Sequence, residues 1–139
     1  MKVSKFISAI FLVFICVFSV KLNAQTNVEL FVVIQKADAC IICTGNHERW
    51  MKDIAPQYSN GEILFLINDM TNNNTVTMSK TQLDSYGIYD PISTYITPGK
   101  VFVIDAKSKK IVDELEIDLS TENVLKALNS RSPNLPPIN

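Results

Sequence analysis

The chain has 139 residues, 47% of them hydrophobic and 19% charged, which fits one globular domain and excludes disordered or collagen-like composition. Its net charge of −1 hides an asymmetry: Lys2, Lys5 and Lys21 stand without any acid in the first 24 residues, leaving 10 basic against 14 acidic residues in the rest. That balance offers no basic footprint for nucleic acid and excludes DNA-binding, helicase and polymerase readings.

A short basic start, an apolar run from Phe6 to Val20 and the polar close Lys21-Leu22-Asn23-Ala24 follow the pattern of a secretory signal peptide. The run is shorter than the ~20 residues that cross a bilayer. Residues 1–24 are therefore expected to be removed after Ala24, with no stable membrane insertion afterwards; an uncleaved N-terminal anchor is the alternative. Cys16 then belongs to the discarded segment, and no small residue beside it supports lipid attachment. Two cysteines remain, Cys40 and Cys43, and export to a periplasm or beyond places them in an oxidising compartment. The loop they close is too short to remove much chain entropy, so their role is expected to be chemical.

Past the signal segment, Val28 to Ile34 is a nearly continuous apolar run rich in β-branched residues, which suits a strand buried on both faces. After Cys43 the pattern turns helical, with Trp50, Met51 and Ile54 on one side, and Pro56 with the turn Ser59-Asn60-Gly61 ends it. Glu62 to Asn68 is a second buried strand. Thr71 to Thr77, with three consecutive asparagines, reads as a surface loop, and a short helix from Met78 to Tyr86 is stopped by Gly87.

Tyr89 to Gly99 holds two prolines and reads as a turn-rich connection. Lys100 to Asp105 and Lys110 to Ile117 form a hairpin, the second strand with one wet face. Ser120 is the expected N-cap of a last helix, Thr121 to Ser130, with Val124, Leu125 and Leu128 inward. The tail from Ser132 to Asn139, with three prolines, is expected to be loose. This order predicts an α/β domain over 25–131: one mixed four-stranded sheet with helices on both faces, its first two strands parallel.

Cys40-Ile41-Ile42-Cys43 follows the first strand and is expected to open the first helix. A thiolate there faces unpaired N–H groups and the positive end of the helix dipole, which lowers its pKa. Cys40 is the expected attacking sulfur, exposed, with Cys43 one turn on, covered and placed to resolve a mixed disulfide. Lys36 would lower the pKa of Cys40 and Asp38 would raise it, unless both are solvated loop charges.

A CxxC between a core strand and its helix resembles the thioredoxin-like superfamily, and the element order supports that resemblance from Val28 to Ser130. Within it, an exported single-domain protein of a bacterial cell envelope is the nearest likeness. The resemblance implies thiol–disulfide exchange with exported proteins through Cys40 and Cys43, an upstream redox partner, no cofactor and a monomer. The family also places a cis-proline opposite the CxxC, and Pro98 occupies the matching position. A cis bond there lets the backbone of Thr97 pair with a substrate strand beside Cys40, although cis is a minority state even for X–Pro. The chain differs from the family in having Ala39 for the usual Trp, Ile41-Ile42 for Gly-Pro, and Ile34 near the place of a buried acid.

Two other readings compete. Cys40, Cys43 and His47 could bind copper or zinc as an exported metal carrier, although the chain has no second ligand pair and no other histidine. A domain that binds partners without catalysis is the other. CxxCH haem attachment fails because residue 44 is Thr, and no hydrolase motif is present.

Overall fold

The computed structural model describes residues 27–132, so the signal-peptide reading, Cys16 and the tail beyond Ser132 lie outside the described residues. Strand β1 (Leu30–Lys36) occupies the interior of a four-stranded sheet. It pairs in parallel with β2 (Ile63–Asp69) and antiparallel with β3 (Lys100–Asp105), which pairs antiparallel with β4 (Ile111–Glu116). The order is β2-β1-β3-β4. Strands on both sides and helices on both faces bury β1 from Leu30 to Gln35, as its continuous apolar run requires. The parallel first pair and the closing hairpin are as expected; β1 and β2 begin and end one or two residues later than their patterns suggest.

Helices cover both faces. Segment α1 (46–58) is one helical run in three geometries: an α-turn over Asn46–Arg49, a π-helical stretch over Trp50–Ile54 and a 3₁₀ turn over Ala55–Tyr58. With α3 (Thr121–Arg131) it packs on the face formed by Leu30, Val32 and Ile34, burying Trp50, Ile54, Val124, Leu125 and Leu128. Full burial of such side chains contributes about 1.5–3 kcal/mol each. The opposite face, formed by Phe31 and Val33, is covered by α2 (Asn73–Ser85) through Leu83, and by Ile88 and Ile92 of the following segment. Pro56 does not end α1; it opens the 3₁₀ turn, where a missing N–H is tolerated.

Helix α2 begins inside the predicted loop. The Asn72 side chain accepts from the N–H groups of Asn74 and Thr75, while the Thr75 hydroxyl accepts from the N–H of Asn72. This reciprocal capping box turns a polar stretch into a helix start. Gly87, with φ +68°, stops the helix as expected, its N–H donating to the Asp84 carbonyl.

On β4 the pairing skips Val112, because a bulge opposite Val103/Ile104 inserts one extra residue. Leu115 therefore packs on the α1/α3 core and Ile111 on the α2 core, while Val112, Glu114 and Glu116 form the wet side. Ser120 caps α3 as predicted. Ser132, expected in a loose tail, is buried and donates to the Glu29 carboxylate at 2.6 Å. Among the described residues no helix is long and apolar enough to cross a membrane.

Candidate disulfide site

Cys40 and Cys43 are joined, with an S–S distance of 2.05 Å and a Cα–Cα distance of 5.2 Å. Cys43 is 1% exposed and packs in the α1/α3 core, whereas Cys40 is only half-buried. Cys43 is covered as expected, while Cys40, expected exposed, is the more open of the two but packs partly against the same core. The expected helical setting is absent.

The cysteines lie on a separate 3₁₀ turn, Ile41–Cys43, followed by Thr44 in extended backbone and Gly45 at φ +80°; the helix begins only at Asn46. Positive φ is open to glycine without steric penalty, so Gly45 lets the chain break direction between the turn and α1. The Cys40 carbonyl accepts the Cys43 N–H of the turn at 3.0 Å, and side chains meet the carbonyls as well. The Thr44 hydroxyl donates to Cys40 O at 3.5 Å, Asn46 Nδ2 to Ile42 O at 2.7 Å and His47 Nδ1 to Cys43 O at 2.9 Å. Because dipole effects fade within the first helical turn, the expected activation of Cys40 by the α1 N-terminus does not follow.

His47 stands in the first turn of α1, and its ring is turned to the Cys43 carbonyl. Among the described residues no group of three or more His, Cys, Asp or Glu gathers as metal ligands. Lys36 is also committed: its ammonium lies 2.7 Å from the Asp69 carboxylate and 3.4 Å from Asp38. The hydrogen bond to Asp69 raises the pKa of Lys36. Burial opposes ionisation of Asp69, but hydrogen bonds from Lys36 and from the hydroxyl and N–H of Thr71 prevail, holding the carboxyl down at about 2. Trp50, read as core, is fully buried, and its indole N–H donates to Ile117 O at 2.7 Å.

Thr97 is exposed and Pro98 half-buried; their peptide bond is trans, as are all those of the described residues. The residue that reaches the disulfide is the next one. A Cβ built on Gly99 would stand 3.9 Å from Cys40 Sγ and 2.9 Å from Ile42 Cδ1, so any side chain there would strike Ile42. Gly99 is tied on both sides, its N–H to Gln35 O and its carbonyl to the Ile117 N–H, each at 2.9 Å. Cys43 Sγ lies 4.0 Å from the same Gln35 oxygen. Sequence reasoning missed Gly99 and Gln35, though a glycine directly after Pro98 is a signal of close backbone approach.

Beside the half-buried sulfur, within the turn itself, Ile41 is 91% exposed and Ile42 partly exposed, and Ile96, 80% exposed, precedes Pro98 in the chain. Comparison with protein-family profiles, with curated proteins and with solved structures finds no match to this chain. The class is therefore defined by fold and site alone: an α/β domain with a mixed four-stranded sheet and a CxxC disulfide at the end of an interior strand.

Proposed function

We propose that this protein is an exported, thioredoxin-like thiol–disulfide oxidoreductase acting on other exported proteins. The observation that carries the reading is the asymmetric pair: two sulfurs within bonding distance, one half-exposed and one buried, on a turn after an interior strand. The order of strands and helices, with helices on both faces of the sheet, supports the thioredoxin-like assignment. The N-terminal signal pattern supports export.

In the reducing direction, the Cys40 thiolate attacks one sulfur of a substrate disulfide. A Cys40–substrate bond forms and the other substrate sulfur leaves as a thiolate. Cys43, deprotonated, then attacks Cys40 Sγ, closing the internal bond and releasing the second substrate thiol. The protein gives up two electrons, and a dithiol donor must restore it. Run backwards, the same steps oxidise substrates. In the dithiol form the Cys43 S–H, a weak donor, has the Gln35 carbonyl 4.0 Å away as an acceptor.

A redox titration of the purified, metal-free protein in glutathione or dithiothreitol buffers, read by alkylation and intact mass, tests this. A reversible two-electron transition above about −300 mV is expected of a labile, working pair. A pair that never closes, or that stays oxidised far below that range, would leave a non-catalytic domain instead. Cys40→Ser should abolish turnover and Cys43→Ser should trap the mixed disulfide.

A further inference from the structure

Gln35 is the last fully buried residue of β1 and has a polar side chain, 0% exposed, in a strand otherwise buried through apolar groups. Its parity with Phe31 and Val33 sends the side chain to the α2 face, away from the disulfide. There its Nε2 donates to the Tyr95 carbonyl at 2.9 Å, across 60 residues of sequence. Its Oε1 is buried and, among the described residues, accepts no hydrogen bond, which is a net cost to folding. Its main-chain oxygen accepts from Gly99 at 2.9 Å and lies 4.0 Å from Cys43 Sγ.

One residue therefore holds both ends of the segment from Tyr95 to Gly99, the amide at one end and the carbonyl at the other. Between them, Ile96 and Thr97 are exposed. The far end of the segment sits against Cys40 Sγ and Ile42. An apolar side chain would fill the same space with no orphaned acceptor, but it could not reach Tyr95.

We propose that Gln35 is a positioning residue for the disulfide site: its buried amide and its carbonyl together fix the Tyr95–Gly99 segment, whose Gly99 end abuts Cys40, for an incoming polypeptide. This rests on the oxidoreductase reading. Gln35 touches neither reacting sulfur through its side chain. Its effect is on polypeptide substrates, to which the exposed Ile96 and Thr97 offer neighbouring backbone, and not on small disulfides.

The test compares two disulfides of equal chemistry. Reduced protein is mixed with dithionitrobenzoate, or with an extended peptide whose one cysteine is held as its nitrothiobenzoate disulfide. In both, Cys40 attacks and nitrothiobenzoate leaves, giving a coloured product; Cys43 then displaces the group left on Cys40. Gln35→Met should slow the peptide reaction about tenfold or more, because small misplacements at a reacting centre are costly. The rate with dithionitrobenzoate should stay within about twofold, since the thiol chemistry itself is unchanged. Equal rates with the peptide, or an equal loss with both, would overturn the proposal.

A measurement on the unaltered protein stands in if the variant does not fold. The Gln35 carboxamide protons and the Gly99 amide should exchange with solvent far more slowly than the amides of Ile96 and Thr97. Exchange of the Gln35 carboxamide at the rate of an exposed glutamine would also overturn it. A protein that shows this protection yet fails the redox titration would keep the clamp and lose the oxidoreductase reading. A protein that titrates normally while Gln35→Met changes nothing would do the reverse.

Discussion

The face of the sheet that carries Cys40 and Cys43 and the face behind it bury similar apolar side chains, but they are fastened differently. On the disulfide face, α1 is tied to the end of β4 and the start of α3 by directed bonds. Trp50 donates to Ile117 O, and the Arg49 guanidinium donates to Ile117 O, Leu119 O and the Thr121 hydroxyl at 2.8–3.0 Å. On the other face, α2 buries only Ser79 and Leu83, Ser79 accepting one bond from β2, and the rest of the cover comes from Ile88, Ile92 and the amide of Gln35. Apolar burial closes both faces. The first ties its helix, the one that follows the cysteines, with four such bonds, and the second ties α2 to β2 through the Asp69 N–H and the Ser79 hydroxyl at 2.9 Å.

That contrast can be broken most strongly at Trp50. Trp50→Ala leaves a large void and a free Ile117 carbonyl, and should cost about 4 kcal/mol in denaturant unfolding. It should also speed reduction of the disulfide, because the segment after the turn loosens. Leu83→Ala on the opposite face should cost about 3 kcal/mol and leave the rate of reduction unchanged, read by alkylation under dithiothreitol. Equal effects of the two variants on reduction would mean that the fastening of α1 does not reach the cysteines.

Gly99→Ala acts at the close approach itself. At φ +98° an L side chain is strained, and the added methyl would meet Ile42 at 2.9 Å, so a loss of about 2 kcal/mol is expected. Ile42 must move, and an increased alkylation rate of reduced Cys40 would report it.

Acid probes the Lys36–Asp69 pair at the cysteine end of β1. The Asp69 carboxyl is held near 2 in the fold against 3.8 without it, so the unfolded chain binds the proton first. The stabilisation is full above about pH 4 and lost as the pH falls through about 2, on the order of 1–2 kcal/mol for this partly solvated pair. Asp69→Asn should remove that part of the acid dependence.

The smallest effect belongs to the far face. Asn72→Ala removes the side-chain acceptor that starts α2 and should cost about 1 kcal/mol in thermal or urea unfolding, with thiol exchange unaffected.

Much of the fold was legible in the residues. The runs around Val32, Leu66 and Val103, the helical pattern of Trp50 and Ile54, the Ser120 cap and the Gly87 stop all express local physics. So does the pair itself, since a three-residue separation brings two cysteines within bonding reach of one turn. The start of α2 was misread because Asn72 and Thr75 form a capping box in a stretch whose composition alone suggests a loop. The helical setting of the cysteines was misread for a similar reason. Thr44 and Gly45 break the chain just after Cys43, and the side chains of Thr44, Asn46 and His47 meet the carbonyls that a continuous helix would have bonded.

By itself the sequence determined the order of strands and helices, the two-sided burial of β1 and the identity of the sulfur pair. These depend on periodicity, propensity and spacing within about one turn or strand. Only the tertiary structure decided that Gly99 abuts Cys40, that Lys36 is neutralised by Asp69, and that Gln35 is buried holding Tyr95 and Gly99. Each of those contacts joins residues more than thirty positions apart, and strand pairing and helix packing, not any local pattern, set where such residues meet.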